Sequence, residues 1–567
     1  MEQTIKETIE TVLQELGITD VSFVVEHPVD LSHGDYACNV AMVAAKKVGK
    51  NPREFAEELV ALIIEKKVQY IQKCEVAGPG FINFSLHRDF FKKEMLRAIA
   101  LGEDWGKNEI YAGKKVFVEY TDPNPFKEFH VGHLFTNSVG ESISRLFVYA
   151  GADTKRLCYQ GDVGMHVAHA IWGLQKLEAL AEHNEVAKLT PVILGKAYAV
   201  GATAYKEDET AAEEIKILNK KIYERTDESV NALYDTGKEV SLAYFDTIYD
   251  TVGTSFDHKF FESEAGPKGK ELVLNNSDIF PESNGARIFD GEAHGLHTRV
   301  FVNSEGLPTY EAKELALAKM KEDVLGTYDL SIISTSNEIT EYFKVLKKAM
   351  CFIYPELEKK TEHIGHGTVR LSTGKMSSRT GDVIPAVTFI DEIANAVSER
   401  MAAASSELAK DTQLTRHIAL GAIKYATLKG NILQDTVFDK EQALSFEGAS
   451  GPYLQYTHAR ICSVLEKAST ANISVDTTQT PENPYEIEKV LYRFQEVLTD
   501  AAIARAPHKV ATYLTELAGM FNSFYAQEKI ADPADQYAPY KTQVAQAVAQ
   551  TLKNGLWVLG IEAPKAM

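Results

Sequence analysis

The chain has 567 residues but only five cysteines, Cys38, Cys74, Cys158, Cys351 and Cys462. No two form a CxxC pair, so neither a disulfide framework nor a cysteine-built zinc site organises the fold, and a reducing compartment is favoured. Long apolar runs are missing too: none approaches the roughly 18 residues that a bilayer-spanning helix needs. Ile5, Ile9, Leu13 and Leu16 recur at helical spacing, but Glu7, Glu10 and Glu15 interrupt them. A secretory signal needs an unbroken apolar stretch and a transit peptide avoids acids, so the expected location is cytoplasmic, with no membrane partner. Net positive charge is also lacking. Lys plus Arg number 60 against 80 Asp plus Glu, a formal charge of −20, so the chain as a whole repels polyanions and any nucleic acid must meet a local basic surface. What remains is ordinary for soluble globular protein, 45% hydrophobic and 25% charged. At roughly 150 residues per domain the length predicts three to four domains, or fewer around one large α/β core.

The first hundred residues read as a small α+β unit. Ile5 to Leu16 and Pro52 to Lys67 have helical periodicity, while Val21 to Val25 and Phe81 to Leu86 read as strands. Gly102 to Gly113 resembles a linker. A short strand at Lys115 to Tyr120 leads through a turn with Pro123 and Pro125 into a helical pattern from about His133 to Tyr149, which Gly151 would end as a C-cap glycine. Arg156 to Cys158 is the next strand candidate, so the segment reads as the opening of a parallel βαβ sheet. Residues 170 to 250 read as a helical insertion. Strand candidates return at Ala286 to Phe289, Thr298 to Asn303 and Leu330 to Ser334. From about Ile390 the pattern is helical, with Val510, Leu514, Leu517, Phe521 and Phe524 on one face and a surface connection at Ser469 to Pro484.

Two segments carry chemistry. The first is DPNPFKEFHVGH, Asp122 to His133, between the first strand and its helix. A helix that starts there presents unpaired N–H groups and the positive end of its dipole, which favours a phosphate. Gly132 lets backbone approach a ligand, and His130 and His133 can donate to phosphoryl oxygens. An isolated HxxH is equally a turn glycine between two surface histidines, and the chain has three more such pairs, His166/His169, His294/His297 and His363/His366. Two pairs could in principle hold a metal, but no HExxH occurs and no tightly bound metal is expected. The second segment is STGKMSSRTGD, Ser372 to Asp382, in which two glycines bracket a cation as in a loop that closes over polyphosphate.

Together these segments resemble the HIGH and KMSKS signatures of class I aminoacyl-tRNA synthetases. The literal string HIGH at His363 to His366 does not follow the opening strand-to-helix turn, whereas HVGH at His130 does, and position outranks spelling. The resemblance narrows to the arginyl-tRNA synthetase family through VEYTDPNPFKEFHVGHLFTNSVGES and the GDVG turn at Gly161 to Gly164. HGDYACNVAM, NPREFAEEL and GPGFINFSL are similar to that family's N-terminal module. ASGPYLQYTHARICSVL, LAGMFNSFY and the terminal LGIEAPKAM are similar to its helical anticodon-binding domain.

The resemblance implies a Rossmann-like parallel sheet with a helical insertion, a small α+β N-terminal domain and an all-α C-terminal domain. The implied divisions are 1–107 for a domain binding the tRNA corner, 108–388 for catalysis with an insertion at about 172–250, and 389–567 for a helical stem and anticodon-binding domain. It implies that arginine is activated with ATP and magnesium, then transferred to the terminal adenosine of tRNA(Arg) by a monomer. His130, His133 and Lys375 are the implied catalytic residues. ATP would meet these together with Gly132, Gly161, Asp162, Gly164, Met376, Ser377 and Ser378. Arginine would meet Glu119, Asn124, Glu262, Tyr310 and Glu314, the last standing where the family carries Asp. A further glutamine usual in the family near Asn337 is absent. Carboxylates suit a guanidinium on physical grounds, because its planar fork of donors never loses its charge. Tyr453, Gln455, Tyr456, His458 and Arg460 are candidates to stack on anticodon bases and meet phosphate. Three alternatives stay open on the residues alone: a histidine-based metal-dependent hydrolase, a silent RNA-binding relative, and a class I enzyme for another amino acid.

Overall fold

The computed structural model describes residues 1–177, 189–371, 384–404, 407–473 and 479–567, which fall into two compact units. The first comprises Met1–Trp105, Ser463–Phe494 and Gly519–Thr551. Its four-stranded antiparallel sheet runs Val25–Glu26, Tyr36–Cys38, Phe81–Leu86, Ile71–Ala77. Helices Glu2–Glu15 and Pro52–Glu65 seal it by burying Ile5, Ile9, Phe55 and Leu59. The second of these helices begins as its sequence demands, with Pro52 in the first turn and the Asn51 side chain accepting from the Arg53 N–H at 2.9 Å. Val21 to Val25 largely fails as a strand because the Val24 N–H is taken by the Asn39 side chain at 2.9 Å instead of a ladder partner. Arg88 pairs with the fully buried Glu488 at 2.5 Å inside this unit.

The second unit comprises Gly106–Cys462, Gln495–Ala518 and Leu552–Met567. Its core is a five-stranded parallel sheet of β1 (Lys115–Glu119), β2 (Asp153–Gln160), β3 (His258–Phe261), β4 (Leu330–Ser336) and β5 (Thr361–His366). The spatial order is β5-β4-β1-β2-β3. The chain winds outward from β1 through β2 to β3, then returns on the other side of β1 at β4. That reversal opens a crevice at the carboxyl ends of the central strands, where doubly wound sheets bind ligands. Val116, Phe117 and Val118 are wholly buried, the continuous apolar run expected of a central parallel strand. The literal HIGH string forms the last four residues of β5, and His363 is stacked flat on Phe343 at 3.9 Å.

Helix Val131–Tyr149 lies directly on this sheet. A Cβ at Gly140 would fall 2.1 Å from Tyr120 Cγ, so only glycine allows that approach. The insertion is helical as expected, with helices Pro191–Glu207, Glu209–Glu224 and Glu228–Val252 following Met165–Lys176. Ala286–Phe289 and Arg299–Val302 are strands, but with Glu282–Ser283 they form a separate antiparallel sheet.

Candidate active site

The turn between β1 and its helix is built from its own side chains. The His130 N–H donates to His133 Nδ1 at 3.2 Å, and the Gly132 N–H donates to His130 Nδ1 at 3.1 Å, a capping box made of two imidazoles. The two rings stack at 3.7 Å. Burial, with help from Lys127, brings His130 down to about 4; burial, then His130 and Lys127, holds His133 well below its usual range. Both rings are therefore neutral at pH 7. With each Nδ1 accepting, the proton of each ring sits on Nε2, leaving two donors at a helix N-terminus. Lys127 lies 4.7 Å from the Tyr198 ring, and its charge also opposes protonation of His166 and His169. Backbone pairing holds the turn from outside, through the Val131 N–H to the Ile384 carbonyl at 3.1 Å and the Ala386 N–H to the Phe129 carbonyl at 2.9 Å.

Beside this turn the strand ends converge on an acidic pocket. Glu119 closes β1 at 1% exposure and meets Lys321 Nζ at 2.8 Å. Glu314 lies two turns before Lys321 on helix Tyr310–Leu325 and is 2% exposed, its Oε1 lacking any hydrogen-bond partner. Burial first, then the charge of Glu119, pushes Glu314 up to about 8. Asp122, whose carboxylate accepts from the Tyr159 N–H at 2.7 Å, is raised by burial and then by Glu119. Tyr310 sets its hydroxyl against Glu314 and its ring 5.0 Å from Tyr342. Gly161 brings in the remaining wall: a Cβ there would lie 2.3 Å from Asn124 Oδ1 and 3.5 Å from Glu262 Cδ. Glu262 itself is held by Lys313 at 2.6 Å. Of the five residues expected to meet the amino acid, Glu314 thus interacts with Glu119, Glu262 and Tyr310, and Asn124 stands with Glu262 beside Gly161.

Comparison with known proteins follows the same layout. Residues 2–86 match the arginyl-tRNA synthetase N-terminal domain, residues 96–440 the class I (R) tRNA synthetase catalytic domain, and residues 454–567 the DALR anticodon-binding domain. The chain belongs to the class I arginyl-tRNA synthetase family. It is 28% identical to the arginine–tRNA ligase of Clostridium perfringens over 98% of this chain and 97% of that one. With the Shewanella oneidensis ligase it shares 29% identity over 100% and 99% of the two chains. The solved Thermus thermophilus arginyl-tRNA synthetase has the same fold, with a TM-score of 0.78 at 24% identity and full coverage of both chains.

Several expected site residues also have internal partners. Asp162 is fully buried and accepts from Tyr234 at 2.8 Å, Lys238 at 2.7 Å and both the N–H and hydroxyl of Ser263. Its carboxylate ties the insertion to helix Glu262–Asn275. Gln455 and His458 need correction as RNA contacts. Both are buried, Gln455 donating to the Glu562 carbonyl at 2.9 Å and His458 Nδ1 meeting the Pro564 carbonyl at 2.8 Å. The C-terminal tail draws them inward, whereas Tyr456 is exposed with the Arg460 guanidinium 4.8 Å over its ring, and Tyr453 is half-buried. Gly132 lies in the first turn of helix Val131–Tyr149, and Gly161 and Gly164 lie between β2 and helix Met165–Lys176. Lys375, Met376, Ser377 and Ser378 lie outside the described residues.

Sequence reasoning missed Lys321, Lys127 and Tyr159. Lys127 stood within the DPNPFKEFHVGH segment, so its signal was available. Lys321 had none, since a lysine in AKMKED reads as solvent-facing helix. No group of three or more His, Cys, Asp or Glu among the described residues is placed to hold a metal ion, and no helix among them is long and apolar enough to cross a membrane.

Proposed function

We propose that this chain is an arginine–tRNA ligase: it activates L-arginine with ATP and transfers the arginyl group to tRNA(Arg). The observation that carries the reading is an acidic cluster, in which Glu119, Asp122 and Glu314 gather around Lys321, beside a helix start bearing two neutral imidazole donors. A guanidinium keeps its charge at any working pH and offers five donors to such carboxylates.

In this reading MgATP lies across the crevice with its phosphates at the start of helix Val131–Tyr149. The arginine carboxylate is already a nucleophile, so no general base is required. It attacks the α-phosphorus in line, the bond to the bridging oxygen breaks, and pyrophosphate departs. His130 and His133, fixed by their own backbone bonds, donate through Nε2–H to phosphoryl oxygens as charge develops, and they need no reorganisation to do so. Lys375, with Ser377 and Ser378, is assigned by family resemblance to the departing pyrophosphate. The ribose hydroxyl of the terminal adenosine of tRNA then attacks the arginyl carbonyl and AMP leaves. Tyr453, Tyr456 and Arg460 serve anticodon contact, the domain limits 1–107, 108–388 and 389–567 stand as functional divisions, and the enzyme acts as a monomer in the cytoplasm.

The test is arginine-dependent ATP–pyrophosphate exchange, run with and without tRNA and with lysine, glutamine and cysteine as competitors. Exchange that requires arginine and tRNA together supports the reading; exchange driven by another amino acid overturns it.

A further inference from the structure

The pocket has a charge imbalance with a consequence for how arginine binds. Glu119 and Glu314 are almost wholly buried, Asp122 is close enough to feel the charge of both, and among the described residues the ammonium acting on all three belongs to Lys321, which is paired with Glu119 at 2.8 Å. Burying a carboxylate without a compensating cation is costly enough that the group takes up a proton instead. Glu314 is the group so placed. Around it stand Glu119 at the end of β1, Asp122 in the following turn, Tyr159 on β2, Glu262 at the start of helix Glu262–Asn275 and Tyr342 on helix Thr340–Ile353. Tyr310 and Lys321 flank it on its own helix. Four of these seven groups are neutral at pH 7 or prefer to be (Asp122 and the three tyrosines), Glu119 and Glu262 repel a second negative charge, and the buried ammonium groups Lys321 and Lys313 are already paired with Glu119 and Glu262. The orphaned Oε1 of Glu314 points to the same state: a buried carboxyl with no donor facing one oxygen.

We infer that the empty pocket holds a proton on Glu314 and that arginine binding expels it, so the guanidinium exchanges for a proton and does not simply fill a preformed anionic hole. Lys321 is the positioning residue in this exchange. It is paired with Glu119 at 2.8 Å, and so leaves Glu314 as the group whose protonation answers to the ligand. Linkage fixes the sign. Burial, then the charge of Glu119, raises Glu314 above the usual carboxylate range, so the free pocket holds the proton there and the occupied pocket releases it. Arginine affinity therefore rises with pH, by up to about tenfold per pH unit, until Glu314 of the free pocket is itself ionised, and levels off beyond.

This inference rests on the arginine reading, and one experiment separates the two. The intact enzyme is titrated with L-arginine calorimetrically at pH 7 in buffers of different ionisation enthalpy, with and without tRNA, alongside Glu314→Gln and Glu314→Asp. The expected result is release of close to one proton per arginine in the wild type, none in Glu314→Gln, and recovery in Glu314→Asp. Arginine binding with a heat independent of buffer overturns the proton exchange while leaving the function intact. Absence of arginine binding under both conditions overturns both. The wild-type buffer series alone is decisive if either variant fails to fold.

Discussion

His130 and His133 stack ring on ring at 3.7 Å, and each imidazole accepts a backbone N–H of the turn that carries them. The pair caps its own helix through Nδ1, and in the proposed function it meets phosphate through Nε2, so cap and phosphate contact would use two edges of the same rings. Replacing His133 by Ala removes one donor and one cap together. Turnover in pyrophosphate exchange is expected to fall by about 10²- to 10³-fold, the usual loss for one preorganised donor. The Kd for arginine should stay within about threefold, because the acidic pocket is separate; a large shift in that Kd with turnover preserved would reverse the assignment.

Acid should destabilise the enzyme through histidines before carboxylates. Burial lowers His130, His169 and His363 to about 4 and His166 to about 3. In the unfolded chain these titrate near 6.5, so between pH 6.5 and about 4 the unfolded state binds more protons and stability falls as pH falls. A thermal melting series over that range is expected to show a steady decline in Tm, with little change between pH 7 and 8 from this source.

Lys321 compensates Glu119 at a depth where solvent gives no help. Lys321→Met leaves that carboxylate without a partner and is expected to cost about 3–5 kcal/mol, the range for breaking a buried pair on one side. A drop of several degrees in Tm checks this, and an unchanged melting curve would show that the pair contributes nothing.

Gly161 admits Asn124 and Glu262 to the same wall of the pocket. Gly161→Ala forces them apart, and overpacking of this kind costs about 1–3 kcal/mol. The KM for arginine is expected to rise by one to two orders of magnitude while that for ATP moves much less.

Tyr456 is exposed and Arg460 half-buried on the helix whose Gln455 and His458 are buried. Arg460→Ala should weaken tRNA binding and reduce the slope of log K against log salt by about one. Gln455→Ala should lower Tm and leave that slope alone.

The legible parts were those with local causes. Pro123 and Pro125 before a glycine flanked by histidines mark a strand-to-helix turn from sequence alone, and the apolar run of β1 marks a central strand. β3 is only four residues long, HKFF, and β5 reads TEHIGH, too polar to look like a strand of a buried sheet. Parallel pairing with β2 and β4 makes each of them a strand, and that pairing is not local. Lys321, Gln455 and His458 fail for one shared reason. A charged or polar residue in a helix looks solvent-facing until a tertiary partner is known, and their partners, Glu119, Glu562 and Pro564, are roughly a hundred or more positions away. The glutamate at 314 was visible as a departure from the family's aspartate, but its consequence for pocket charge needed Lys321 and Asp122 beside it.

The central claim is that buried carboxylates select a guanidinium. It is tested most directly by comparing arginine with citrulline, its neutral isostere, in tRNA-dependent ATP–pyrophosphate exchange. The account predicts robust exchange with arginine and a kcat/KM for citrulline lower by at least about 10³-fold, since a charge-assisted contact to two carboxylates is lost. Comparable exchange with both amino acids would contradict it.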